Sequence, residues 1–214
     1  MSDDEKSQKR KTNVFLLDRT TREYVGAVLL DPVTREEVEA AERAWRPVMQ
    51  DAVACMEAQH IAHHERPQHG HWDWRKKYDQ TQGILAFQMF GIECQNEIQG
   101  LMLVQTAGKM CHIPSQKGKP LVYVYFIASA PWNSPLVVAE PRYGQVGRVL
   151  IATAIELSKS MEFAGRIGLH SLPQTESWYA KHCGMTDLGP DQNSRTQNLR
   201  YFEMTPEQAS TFLT

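Results

Sequence analysis

Between residues 142 and 150 the chain reads Arg142, Tyr143, Gly144, Gln145, Val146, Gly147, Arg148, Val149 and Leu150, two glycines three apart running into an apolar helical pattern. A glycine-containing turn at a helix start exposes main-chain N–H groups. With the positive end of the helix dipole, those donors bind phosphate. Each charge-assisted hydrogen bond contributes about 1.5–3 kcal/mol, so a few of them hold a pyrophosphate. The same pattern also serves as plain turn chemistry. Five histidines of eight, His60, His63, His64, His69 and His71, crowd a short stretch. His60 and His64 stand at i, i+4, the spacing of a metal pair on a helix. No HExxH accompanies them and no cysteine lies near, so they read as a solvated polar helix end, and no metal is expected. Directly after them, His71-Trp72-Asp73-Trp74 places two indoles in a polar loop.

The elements that must position these residues follow from periodicity. Residues 1–13 carry both charges and read as a disordered, solvated tail ahead of a single domain over 14–214. Arg22 to Leu30 is a strand. Thr34 followed by Glu37 has capping-box spacing, and apolar residues at i, i+3, i+4 steps from Val38 to Met56 give a helix that ends near His64. Gly83–Phe90 and Ile98–Thr106 form an antiparallel hairpin around Gln95-Asn96-Glu97. Leu121 to Ala128 is nearly continuous in apolar character, which suits a central strand. Val146 to Met161 is an amphipathic helix, Arg166 to Leu172 a strand, and Gln174 to Cys183 a short helix stopped by Gly184. Met185–Leu188 and Leu199–Met204 are strands, and Thr205, Pro206 and Gln208 open a last helix. The order predicts a mixed α/β domain (α+β) with a large sheet.

Composition narrows the function classes. The chain has 214 residues, 42% hydrophobic and 22% charged, ordinary for a globular protein. Lys and Arg total 23 and Asp and Glu 25, a net charge of -2, which supplies no global field for nucleic acid or an anionic membrane. No apolar run approaches the roughly 20 residues of a membrane helix, and no secretory h-region follows the charged start. Cys55, Cys94, Cys111 and Cys183 form no CxxC pair and read as free thiols of a reducing, cytoplasmic compartment.

The 142–150 segment resembles the acyl-CoA signature of the GNAT N-acetyltransferase superfamily, Q/R-x-x-G-x-G/A before an apolar helix. Arg142 matches its first position, Gly147 its last, and Leu150 an apolar position beyond; Gln145 stands where the family prefers glycine. Leu169 to Met185, with Tyr179 and Gly184-Met185, is similar to the family's strand, short helix with tyrosine, and Gly-Phe/Met. The element order fits that fold from about Arg22 to Met204.

The resemblance implies a mostly antiparallel sheet with one splayed parallel pair, Leu121–Ala128 and Arg166–Leu172, and helices on both faces. It implies acetyl-CoA as co-substrate, its pantetheine arm along Ile127, Ala128 and Ser129, and its pyrophosphate on Arg142, Tyr143, Gly144, Gln145, Val146, Gly147 and Arg148. The reaction would be direct transfer of an acetyl group to a primary amine of a small molecule or protein. Tyr179 would donate a hydrogen bond to the leaving thiolate, since full proton transfer from an unperturbed tyrosine to a thiolate is uphill by about 2 kcal/mol. Glu93, with Glu97, flanks the hairpin where such proteins place acceptor-side carboxylates, and Glu93 is the candidate base. Trp72 and Trp74 fall where the family keeps its substrate-side helix, as an acceptor lid or a loop pinned to the core. Tyr123 and Tyr125 alternate with Val122, Val124 and Phe126 and either line the acceptor tunnel or pack. A homodimer is compatible with the resemblance. The rival readings are a non-catalytic acyl-CoA sensor, a toxin-like acetylase of aminoacyl-tRNA, and an interaction domain.

Overall fold

Leu101 and Leu103 pack to one side of their strand and Met102 and Val104 to the other, and all four are buried. Both sets are buried only where a strand runs through the middle of a sheet covered on both faces. The computed structural model describes residues 10–192 and 198–214. In chain order the strands are β1 (Arg10–Asp18), β2 (Tyr24–Asp31), β3 (Phe87–Cys94), β4 (Glu97–Gln105), β5 (Val122–Ser129), β6 (Tyr143–Gly144), β7 (Ile167–Ser171), β8 (Thr186–Pro190) and β9 (Arg200–Met204). The helices are α1 (Arg35–Ala58), α2 (Trp74–Thr81), α3 (Val146–Ser160), α4 (Glu176–Lys181) and α5 (Pro206–Leu213). The strands form one sheet in the order β6-β1-β2-β3-β4-β5-β7-β9-β8. Every pairing is antiparallel except β5 with β7. One core lies between the sheet and α3 and α5, centred on Leu150, Ile151, Ile155 and Phe202. The other lies between the sheet and α1 and α2, around Val38, Trp45 and Trp74. Among the described residues no helix is long and apolar enough to cross a membrane.

Local chemistry sets the helix ends. Thr34 and Glu37 form a reciprocal capping box at α1, and Thr205 and Gln208 do the same at α5. Helix α1 stops at Ala58, six residues before the expected end. His60 takes a left-handed φ of 59°, its N–H donates to Glu57 and the Ile61 N–H to Met56. That pair of bonds is a Schellman stop with histidine in the place glycine usually holds. His60 and His64 therefore do not share a helix.

Two edges differ from the sequence reading. The stretch expected as tail enters the sheet: Arg10–Asn13 pair with Val28–Asp31 as the first half of β1. These residues are polar because they are exposed, while Leu16, further along the same strand, is fully buried. Residues 1–9 lie outside the described residues. Strand β6 is two residues long and pairs with Leu17 and Asp18, tying the glycine turn to β1. Behind that turn, Gly100 on β4 lets α3 sit close. A Cβ there would stand 2.6 Å from Val146 Cγ1 and 3.1 Å from Leu150 Cδ1.

Candidate functional site

Strands β5 and β7 pair in parallel only from Val122 to Val124, opposite Ile167 to Leu169. Beyond that point β5 stays with β4 and β7 with β9. The cause is visible in the β4–β5 register, where Leu103 opposes Phe126 and Val104 opposes Val124. Tyr125 is thus the extra residue of a β-bulge, which bends its strand. The bulge also reverses the alternation: Val122 and Val124 face the α3 core, whereas Phe126 and Ala128 face the α1 core. The strands open into a cavity of about 800 Å³.

Helix α3 starts at one end of this cavity. Its N-cap, Gln145, is left-handed (φ 70°), makes no side-chain cap, and no acidic residue occupies the first turn. The first main-chain bond into the helix runs from Val149 to the Gln145 carbonyl, 2.9 Å. A helix start leaves the preceding N–H groups, those of Val146, Gly147 and Arg148, without helical partners. Arg148 donates to the Phe212 carbonyl (2.6 Å), and the Arg19 guanidinium lies beside Gly144, 3.5 Å from where a Cβ would stand. Both arginines line the cavity, and no aspartate or glutamate does among the described residues. Trp178 of α4 lies against Gly147, at 3.3 Å from a would-be Cβ. The arrangement is a positively polarised donor cluster at the end of an apolar slot, which suits a diphosphate with a long thin tail.

The sequence-derived candidates divide in three dimensions. Ile127, Ala128, Ser129, every residue from Tyr143 to Arg148, Trp72, Tyr125 and Tyr179 line the cavity. Arg142 does not. Its guanidinium pairs with Glu97 (2.5 Å) and Gln95 (2.6 Å) on the β3–β4 turn, so it braces the turn rather than the slot. Glu93 sits on β3, outside the cavity lining. Trp74 is buried against Trp45, and its main-chain N–H donates to the buried Glu42 carboxylate (2.8 Å), pinning α2 to α1. Tyr123 lies behind the cavity wall, bonded to His170. Tyr179 packs between Trp178 and Phe202. Burial raises its pKa well above the usual phenol value, which keeps it protonated at any working pH.

Sequence reading passed over His170. It sits on β7, one residue past the last parallel pairing, and lines the cavity. Its Nε2 lies 3.0 Å from Asp191 Oδ2 and its Nδ1 2.6 Å from the Tyr123 hydroxyl. With the carboxylate accepting from Nε2–H, Nδ1 accepts from the phenol. Burial lowers the His170 pKa, only partly countered by Asp191, so the ring is neutral at pH 7. His69 also lines the cavity, edge-on to Trp72, and burial lowers its pKa as well. A single histidine in a strand leaves no periodic trace, and its partners lie 47 residues before and 21 after it. The loop carrying His69 is tied across the mouth. Gln68 donates its N–H to the Gln174 side chain (3.1 Å), which in turn donates to the Arg66 carbonyl (2.7 Å).

No protein-family model matches the chain, and no curated protein is similar to it in sequence. Solved structures are similar in fold. A PaiA N-acetyltransferase from Thermoplasma acidophilum in complex with coenzyme A superposes with a TM-score of 0.51 at 10% identity, over 85% of this chain and 99% of that one. A GNAT-family acetyltransferase from Listeria monocytogenes gives 0.52 at 12% identity, over 84% and 95%. FeeM, an N-acyl amino acid synthase from uncultured soil microbes, gives 0.54 at 15% identity, over 86% and 93%. The nine-stranded sheet with its single splayed parallel pair is the GNAT fold.

Proposed function

We propose that this chain is an acetyl-CoA-dependent N-acyltransferase that moves an acetyl group onto a primary amine by direct transfer. The observation that carries the proposal is the uncapped start of α3 at the end of the slot between β5 and β7. The amides of Val146, Gly147 and Arg148 hold the pyrophosphate, with Arg19 and Arg148 adding charge. Gln145 already adopts the left-handed conformation that glycine would supply. The free edge of β5 from Ile127 to Ser129 guides the pantetheine arm. Acetyl-CoA supplies the activated carbonyl.

The remaining steps are proton management. The amine nitrogen forms its bond to the carbonyl carbon, and the carbon–sulfur bond breaks. The amine proton passes to His170, which lines the cavity: Nδ1 accepts it as the Tyr123 hydroxyl gives up its bond to that nitrogen, and Asp191 on Nε2 stabilises the imidazolium. The neutral Tyr179 hydroxyl donates a hydrogen bond to the departing thiolate. Its raised pKa makes it a donor and not an acid, and the thiolate is protonated from water. The test is thiol release from acetyl-CoA in the presence of amines, with binding followed by calorimetry. Wild type binds acetyl-CoA and turns it over. Tyr179→Phe binds equally well and loses about tenfold in kcat. Absence of acetyl-CoA binding by the wild type removes the proposal.

A further inference from the structure

The far end of the cavity from the helix start differs from the cofactor end in every relevant property. Its walls are Trp72, Tyr125 and Phe126, with the imidazoles of His69 and His170. Trp72 and Tyr125 each meet Phe126 edge-to-face at 4.9 Å, so the three rings pack as one aromatic wall. Aromatic faces normally attract an ammonium ion, because the ring face is negative. Here a cation already lies against this wall. Lys77 Nζ lies 3.1 Å over the Phe126 ring and 4.7 Å from the Trp72 centroid, and Lys77 does not line the cavity, so it sits behind the rings. Burial brings its pKa down to about 8, which still leaves most of it charged at pH 7. No carboxylate lines the cavity among the described residues to receive a second cation.

From this we infer that the acceptor, on the transferase reading above, is an aromatic amine whose nitrogen is uncharged at neutral pH and whose ring packs on the Trp72–Tyr125–Phe126 wall. The magnitude supports the choice. An alkyl amine with a conjugate-acid pKa near 10.4 leaves only about one molecule in 2,500 neutral at pH 7, and the cavity offers its ammonium no counter-charge, while Lys77 behind the rings opposes a second cation. An aryl amine, its lone pair delocalised into the ring, arrives unprotonated. It needs only the neutral imidazole to collect the proton released after attack.

The experiment compares aniline-type acceptors with an alkyl diamine at pH 7, measuring thiol release from acetyl-CoA, with acetyl-CoA binding measured in parallel by calorimetry. The aryl amines are expected to exceed the diamine at least tenfold in kcat/KM. Lys77→Gln, which removes the positive charge behind the rings, is expected to narrow that ratio severalfold while acetyl-CoA affinity stays constant. If acetyl-CoA binds but the diamine is preferred, or no amine is acetylated, the acceptor assignment falls and the acyl-CoA site stands. If acetyl-CoA does not bind, the site reading falls with it.

Discussion

At the start of α1, the Thr34 hydroxyl accepts from the Glu37 N–H at 3.3 Å and the Glu37 carboxylate accepts from the Thr34 N–H at 2.8 Å. At the start of α3 no side chain caps, no acid sits in the first turn, and the N-cap is a non-glycine residue in left-handed space. Local chemistry favours the first arrangement, since a cap contributes about 1 kcal/mol and a strained N-cap costs of order 1–3 kcal/mol. The difference is one of use. Helix α1 satisfies its own donors because it only has to support the sheet. Helix α3 keeps its donors free and opens them into a cavity. Its anchorage comes instead from the apolar seam of Leu150, Ile151, Ala154 and Ile155, all fully buried.

The strongest way to break this contrast is to put an acid into the open start. Gly147→Glu is expected to abolish acetyl-CoA binding by calorimetry, a loss above a hundredfold. The melting temperature should hold, because a carboxylate near a helix N-terminus is favourable. Unchanged affinity would mean that the α3 donors are not the cradle. Next in size, His170→Asn separates holding from turnover. Its acetyl-CoA affinity should match wild type while kcat/KM falls about a hundredfold, the scale of general base catalysis. The sign follows from the lowered pKa of His170. The base is active when neutral, so wild-type kcat/KM is level at pH 7 and falls as pH drops through a value below the ordinary 6.5. The asparagine variant should lack that acid limb, and a retained limb would assign it elsewhere.

Two smaller effects sharpen the comparison through stability. Thr34→Ala should cost about 1 kcal/mol, roughly 2–4 °C in Tm for a chain of this size, with no change in acetyl-CoA affinity. Gln145→Gly should move the other way, raising stability by about 0.5–1 kcal/mol as left-handed strain is relieved, again without loss of affinity. A melting temperature that falls on Gln145→Gly would show that the Gln145 side chain supports the turn.

How much was legible in the sequence depended on whether the cause was local. The capping boxes at Thr34 and Thr205, the Gln95-Asn96 hairpin turn and the apolar β5 are short-range signals, and they were readable. So was the glycine turn before α3, since both its spacing and the helix after it lie within ten residues. The first half of β1 looks like tail in the sequence because Arg10–Asn13 have no apolar face and enter the sheet only through pairing with β2. The bulge at Tyr125 was hidden because alternation counts residues and the bulge adds one. Tyr123 and Tyr125 therefore part company, one behind the wall and one in it. Arg142 matched a motif position yet turned to Glu97 and Gln95, partners 45 and 47 residues away that no spacing rule reaches.

The glycine at position 100 touches none of the proposed reactants, yet it bears on where they lie. A single added carbon there would meet Val146 Cγ1 at 2.6 Å, and the nearest relief is for the first turn of α3 to ride outward on the sheet. The three amides would ride with it. Residue 100 therefore works as a depth gauge: on the acyl-CoA reading, the missing methyl on a neighbouring strand sets how far into the molecule the diphosphate would sink.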